Sequence, residues 1–291
     1  MSPLIEAFFE KRTSSVQYLV ADPATRQCAI IDPVLDYDEN SGSIATRSAD
    51  ELLHAIDAHG YTLAWSLDTH PHADHLSAAA YLKEKTGAQT GIGEKITEVQ
   101  SLWKEIYGLP GSFPDDGRQW DRLLADGETF HLGQLPVSVM LTPGHTLASV
   151  TYLIGDAAFI HDTLFMPDVG TARADFPGGS ARELWRSIGR ILDLPSTTRL
   201  YTGHDYTPKG REPAWESSVS AQKTKNIHLL KADTEEAYVR MREQRDRALP
   251  LPEQMLHALQ VNINGGRLPD ADASGKRFLR IPLGAFPDAA W

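Results

Sequence analysis

Between Thr69 and His75 the chain reads Thr-His-Pro-His-Ala-Asp-His, so three imidazoles and one carboxylate fall between His70 and His75. Imidazole and carboxylate together suit divalent transition metals. The plain alternative is a polar loop with chance histidines. Further along stand His145 in Pro143-Gly144-His145-Thr146, Asp162 in Ile160-His161-Asp162, and His204 in Gly203-His204-Asp205-Tyr206. Each directly follows an apolar run, and ligands repeated at strand ends are the geometry of a site on the rim of a sheet. His70, His145 and Asp162 are the best ligand candidates. Two neutral imidazoles and a carboxylate form a facial triad on Fe(II) that leaves positions for substrate and oxygen. Yet His72, Asp74, His75 and His204 are present too, so the residues for a hydrolase with two metals about 3.5–4 Å apart also exist. Ligand identity alone leaves both open.

The elements that must position these residues are readable in outline. Leu63-Ala64-Trp65-Ser66-Leu67 reads as a buried strand, and Leu76 to Lys85 as a helix with Gly87 just past its end. Val16 to Val20 and Cys28 to Asp32 read as a hairpin, and Leu35 to Thr46 as a polar loop. Ser48 and Glu51 form a capping-box pattern for a helix ending near His59 and Gly60. Trp103 to Arg122 reads as a long loop. Phe130 to Leu141 and Ser149 to Ile160 predict antiparallel strands turning at Gly155-Asp156. Ser180 and Glu183 open another helix, with Leu184, Trp185, Ile188, Ile191 and Leu192 on one face. Asp233 to Arg247 and Leu251 to Gln260 predict two more. Periodicity alone supports the α/β class. With no low-complexity linker, residues 1–291 read as one domain: a core over about 14–230 and an extension over about 231–291 packed on it.

The chain has 291 residues, 41% of them hydrophobic, and a formal net charge of −11. It contains no basic run, which argues against a nucleic-acid binder. No apolar stretch of about 18 residues is present, so no membrane span is expected. Met1 to Arg12 lacks a signal-peptide pattern, and the single cysteine, Cys28, excludes an internal disulfide framework. A cytoplasmic location is the expectation. Cys28 reads as a small core residue, and His54 and His59 as solvated.

The order His-x-His-x-Asp-His, Gly-His-Thr, Asp, Gly-His-Asp-Tyr resembles the metallo-β-lactamase superfamily. Within it the chain is similar to the glyoxalase II-like branch, and most of all to the persulfide (sulfur) dioxygenases. The matching stretches are Ser66 to His75, Thr142 to Thr146, Gly170 to Phe176 and Gly203 to Tyr206, within a resemblance running from about Tyr18 to about Tyr206. The tail, including Val261 to Arg267, looks like a bacterial subgroup. The resemblance implies a four-layer αββα sandwich with a C-terminal helical extension. It implies one Fe(II) per chain on His70, His145 and Asp162, with His72, Asp74, His75 and His204 orienting ligands and water. It also implies an oxidoreductase that converts glutathione persulfide and O2 to sulfite and glutathione. Tyr206 matches a tyrosine implied to contact glutathione. Arg173 either reaches a substrate carboxylate or holds its loop through Asp175. A homo-oligomer, a dimer, is the expected assembly, which no residue pattern establishes.

Two rival readings stand beside this one. A binuclear glyoxalase II-like hydrolase would cleave a glutathione thioester. A binding module with a structural metal fits poorly, because such zinc sites usually use several cysteines. The sequence also departs from the related mitochondrial enzymes, which have Asn-Pro-Arg-Leu where this chain has Asn226-Ile227-His228-Leu229. The arginine that would meet the peptide carboxylate is absent there, and Arg211, Lys223 and Lys225 are candidate substitutes. His161 stands where a glycine is common, and reads as a packed or hydrogen-bonded histidine facing away from Asp162. Asp32 reads equally as an acceptor behind the ligands or as a turn residue. Asn262 to Arg267 reads as a surface turn, with a flexible loop near the site as the alternative.

Overall fold

Parallel strands cannot be joined by a tight turn; each pair needs a crossover, usually a helix. The computed structural model describes residues 2–287 and shows what that constraint builds here. The chain opens with antiparallel β1 (Leu4–Glu10), β2 (Ser15–Ala21) and β3 (Gln27–Ile31). A small sheet follows, made of β4 (Val34–Asp38) and β5 (Ser43–Ala45) and completed later by β7 (Leu76–Ser77). Helix α1 (Arg47–His59) crosses to β6 (Thr62–Leu67), parallel to β3. Helices α2 (Ala79–Thr86) and α3 (Ile96–Tyr107) then carry the chain to β8 (Gln89–Gly93) and β9 (Arg122–Leu124), both parallel additions. The first sheet therefore has the order β1-β2-β3-β6-β8-β9.

The second sheet begins as an antiparallel meander of β10 (Thr129–Leu132), β11 (Leu135–Leu141), β12 (Val150–Ile154) and β13 (Ala157–His161). Helix α4 (Ala181–Leu192) crosses to β14 (Arg199–Thr202), parallel to β13, and β15 (Glu216–Ser218) closes the edge. Three helices end the described chain: α5 (Val219–Lys225), α6 (Glu235–Asp246) and α7 (Met255–Asn262). No helix among the described residues is long and apolar enough to cross a membrane.

Side chains alternate across a strand, and that period assigns the layers. Tyr18, Val20, Ile31, Val137, Tyr152 and Phe159 meet between the sheets. Their neighbours Leu19 and Ile30 face outward onto Leu52 and Ile56 of α1, Leu82 of α2 and Val261 of α7. On the other side Ala158 and Ile160 meet Leu184, Ile188 and Ile191 of α4 and Tyr238 of α6. The result is the αββα sandwich.

Several sequence expectations are corrected by tertiary contacts. Leu35 to Thr46 is largely the β4–β5 hairpin, because Asp36 pairs with Ala45 and Asp38 with Ser43. Ser48 does not cap α1: its N–H and hydroxyl donate to the Asp36 carboxylate at 3.0 and 2.9 Å, and the helix already includes Arg47. Leu76 and Ser77 pair with β4, which delays α2 to Ala79. The supposed loop from Trp103 is helical as far as Tyr107. Ile96, Val99, Trp103 and Tyr107 are the buried face of that helix. Ser180 does cap α4, accepting from the Glu183 N–H at 3.3 Å.

Gly144 is packed under the start of α4 at φ 133, where an added Cβ would sit 2.2 Å from the Leu184 nitrogen. Gly144→Ala should therefore lower stability by about 1–3 kcal/mol, as overpacking of a close-packed site does. Urea unfolding in the presence of chelator reads this directly. A loss below about 0.5 kcal/mol, the range of a neutral surface change, would contradict it.

Candidate metal centre

Four segments that follow β6, β11, β13 and β14 converge at one rim, and hydrogen bonds to their backbone hold them there. Val150 N–H donates to Thr69 O at 2.9 Å, and the Tyr152 hydroxyl to Asp68 O at 2.8 Å. Val16 N–H donates to Gly203 O at 2.8 Å. Gly203 is small for a reason: a Cβ there would stand 2.6 Å from Asp162 Oδ1.

His70, His145 and Asp162 are all buried, and each offers a ligand atom within 4.8 Å of the others. His145 Nδ1–H donates to Arg173 O at 2.8 Å, which leaves Nε2 with its lone pair, 3.7 Å from Asp162 Oδ2. His70 Nδ1 lies 3.0 Å from the Thr69 hydroxyl, which itself donates to Asp32 at 2.8 Å. His70 Nε2 is buried with no partner among the described residues. Burial pushes both imidazoles below their ordinary pKa, with neighbouring histidines lowering His70 further. Burial works against the Asp162 charge, but His204 and His145 outweigh it and hold the carboxyl below the usual range. Two neutral imidazoles, one with an orphaned nitrogen, and an ionised carboxylate fit a divalent transition metal.

His204 lies behind this triad. Its Nδ1 is 2.6 Å from Asp162 Oδ1 and its Nε2 is 2.5 Å from Asp74 Oδ2. Burial opposes its charge, but the two carboxylates prevail and raise its pKa well above the ordinary value. Ser15 Oγ stands 3.0 Å from His204 Nε2 and 3.1 Å from His75 Nδ1. His72 packs between His70 and His75, at ring-centroid distances of 4.1 and 4.2 Å, with Nε2 3.0 Å from Asp32 Oδ1, close enough for an ion pair but not aligned as a hydrogen bond. His72, Asp74 and His75 nevertheless keep ligand atoms within 4.8 Å of one another. Asp32 fills both roles proposed for it: it sits at φ 53 and accepts from the Thr69 N–H at 2.7 Å. His161 packs behind His70, with Nε2 3.0 Å from the hydroxyls of Thr142 and Thr163. Burial draws its pKa down to about 3.

A cavity of about 660 Å³ opens over Asp74, His145 and Asp162. Tyr206 lines it, its ring stacked on His204 at 5.9 Å. Arg173 also lines it, but its fork is committed to protein. Nε and Nη2 meet Asp175 at 2.7 and 2.9 Å, and Nη1 meets Pro250 O at 2.6 Å. Arg211 is not a free carboxylate partner, because its guanidinium is held by Asp168 and Asp205. Lys223 and Lys225 lie on α5, away from the cavity lining.

A family model described as the metallo-beta-lactamase superfamily matches residues 11–204. The chain belongs to the metallo-β-lactamase superfamily. It is an enzyme of that family with a metal-binding cluster of histidine and aspartate. A "beta-lactamase hydrolase-like protein" of Xylella fastidiosa is 59% identical over all of this chain, which spans 67% of that relative. "Glyoxylase B2" of Dictyostelium discoideum is 44% identical, covering 96% of each chain. The mitochondrial "persulfide dioxygenase ETHE1" of Bos taurus is 25% identical, over 90% of this chain and 89% of its own. The crystal structure of ETHE1 from Myxococcus xanthus superposes with a TM-score of 0.72 at 30% identity, covering 91% of this chain and 100% of that one.

The superfamily match stops at His204, yet residues beyond it fasten the metal loops. Asn262 Nδ2 donates to the carbonyls of His72 and His75 at 2.7 and 2.8 Å, and its Oδ1 accepts from Ser77 N–H at 2.8 Å. The expected surface turn at Asn262 to Arg267 is thus corrected: its first residue is buried under the histidine loop. Arg242 and Asp246 form a buried pair at 2.8 Å; Arg242 donates to Thr171 O at 2.9 Å, and Asp246 accepts from Ala174 N–H at 2.9 Å. They fix the segment that supplies the Arg173 carbonyl to His145. Sequence reading missed Asn262, Ser15 and this pair. Only the pair carried a signal, its i,i+4 spacing.

Asn262→Ala would strand two buried carbonyls and one N–H. It should lose at least about 1–3 kcal/mol in chelator, and a wild-type urea midpoint would show that the clamp contributes nothing. A second expectation concerns pH. Two ordinary histidines of pKa about 6.5 would weaken metal binding roughly thirtyfold between pH 6.5 and 5.5, because protons compete for the lone pairs. Burial lowers the pKa of both His70 and His145, so fewer protons compete for their lone pairs and chelator competition should find a shallower loss. A thirtyfold drop would refute it.

Proposed function

We propose that this enzyme is a non-haem Fe(II) persulfide dioxygenase, with one iron per chain, acting on glutathione persulfide and O2. The observation that carries the reading is the pairing of a compact His70–His145–Asp162 triad with a His204 whose two nitrogens both face carboxylates. A second metal would take His204 and Asp74 as ligands; in this reading they instead orient the Asp162 carboxylate and the water around the triad. The named dioxygenase relative and the ETHE1 structure support the reading over about nine-tenths of the chain. Bound iron would supply open positions for sulfur and oxygen and take up developing charge.

The protein's own part is positioning. His145 is locked by the Arg173 carbonyl so that its lone pair faces the triad, and His204 holds the Asp162 carboxylate in orientation. Phe165, Phe176 and Tyr206 line the cavity and keep much of its wall apolar, which limits water around a reactive sulfur. Arg173 and Asp175 hold the cavity wall to Leu249 and Pro250. Overall, persulfide, dioxygen and water give thiol and sulfite; the four electrons taken by O2 come from the persulfide sulfurs. Net acidity argues against a nucleic-acid partner, and the lone buried Cys28 supports a cytoplasmic location.

The second reading, a binuclear thioester hydrolase, is favoured by the His72–Asp74–His75 grouping and by the names of the 59% and 44% relatives. Oxygen uptake separates the two. Iron-loaded protein should consume O2 only when persulfide is supplied, with sulfite accumulating. Fast thioester hydrolysis without uptake would overturn the dioxygenase. Metal stoichiometry gives an independent check by elemental analysis. Wild type and Asp74→Ala should both saturate at one iron, with affinity in the variant weaker by roughly 10–100-fold at most. A fall from two metals to one would favour the hydrolase.

A further inference from the structure

Each residue of the triad has its own orienting partner: Thr69 for His70, the Arg173 carbonyl for His145 and His204 for Asp162. These bonds turn the two rings and the carboxylate. They do not set how far apart the segments that carry them stand. His145 follows β11 and Asp162 follows β13, and these strands are not neighbours, because β12 runs between them. Strands two places apart in a sheet lie about 9–10 Å from each other, so no ladder bond joins the two ends.

One side chain spans that gap. His161 is buried, and its Nε2 stands 3.0 Å from the Thr142 hydroxyl and 3.0 Å from the Thr163 hydroxyl. Thr142 directly follows β11 and leads into Pro143-Gly144-His145, and Thr163 directly follows Asp162. Thr142 also meets the Thr151 hydroxyl at 3.1 Å, which brings in the middle strand. The same imidazole packs against His70, with ring centroids 5.3 Å apart. Strand geometry does not ask for a histidine here. The residue sits at φ 42, a left-handed backbone that glycine adopts freely and other residues uncommonly. The pairing of β13 with β14 shifts register between Phe159 and His161. A costly backbone conformation that nevertheless carries a large polar side chain points to a task for that side chain.

We propose that His161 is a positioning residue of the metal centre, which sets the spacing of the segments that carry His70, His145 and Asp162. The inference rests on the triad as the metal site and holds whichever reaction the metal serves. A single ring nitrogen, as donor or acceptor, holds both threonine hydroxyls, while the ring itself backs His70. A glycine in this place would leave the ends of β11 and β13 joined only through β12. Selectivity among divalent metals comes from site geometry more than from raw affinity, so this tie bears on which ion the triad keeps.

The test is binding of Co(II) to the full chain, read by chelator competition and by the visible absorption of the bound ion, which reports its coordination geometry. His161→Phe keeps a packed ring and removes the nitrogen. It should weaken Co(II) binding by roughly 10–100-fold, the range for a residue that orients ligands, and change the spectrum. His161→Gln, whose amide reaches the place of Nε2, should recover most of the affinity and the wild-type spectrum. Thr142→Val should reproduce part of the loss on its own and add little to His161→Phe, because both remove the same bond. If His161→Phe does not fold, Thr142→Val alone decides, by the same loss of affinity and the same change of spectrum. Wild-type affinity and spectrum in His161→Phe would overturn the proposal. So would a Gln variant as weak as the Phe variant, or a Thr142→Val loss that adds in full to it. A wild type that takes up no Co(II) would remove the triad as metal site together with the positioning role, whereas tight binding unchanged in every variant would remove the positioning role alone.

Discussion

The rest of the structure depends on the charge balance around His204. Asp74 and Asp162 are carboxylates taken largely out of water, and an ionised acid so placed costs several kcal/mol unless it is paired and hydrogen-bonded. One imidazole answers both acids at 2.6 and 2.5 Å. To bring them together, the ends of β6, β13 and β14 must meet within a few ångströms. The two sheets have to face each other, and Gly203 has to be small. The sandwich is thus arranged so that buried charges of opposite sign share one rim.

Much of this was legible in the sequence because the chemistry is local. His70 to His75 follows an apolar strand without a gap, and His145, Asp162 and His204 also end apolar runs, so type and spacing announce them. Strands with buried alternating faces, such as β11 to β13, were equally readable. The missed elements carry weaker local patterns. β1 is a half-exposed strand edging the first sheet, and β4 with β5 is a charged hairpin whose partners are set by tertiary pairing. The contacts of Asn262 reach back 185 to 190 residues, and no window of sequence contains both ends. Arg211 misled for the opposite reason: its type suggested a ligand contact, while Asp168 and Asp205 had already claimed it.

The extension serves as more than cladding. It touches the centre twice, through Asn262 under the first histidine loop and through Arg242 and Asp246 behind the segment that orients His145. Both contacts are made by buried polar groups to backbone atoms, so they specify position and leave the side chains of the ligands free. An apolar α7 alone could have covered the outer face of the first sheet, but it could not have fixed the carbonyls of His72 and His75.

That arrangement sets an order of events during synthesis. The histidine loop leaves the ribosome 187 residues before the asparagine that will hold it. At ordinary elongation rates that is a wait of roughly 10–40 s. During this interval the nascent chain carries its metal-seeking side chains without their fastening. The histidine loop is therefore fastened only after α7 has been made and has docked.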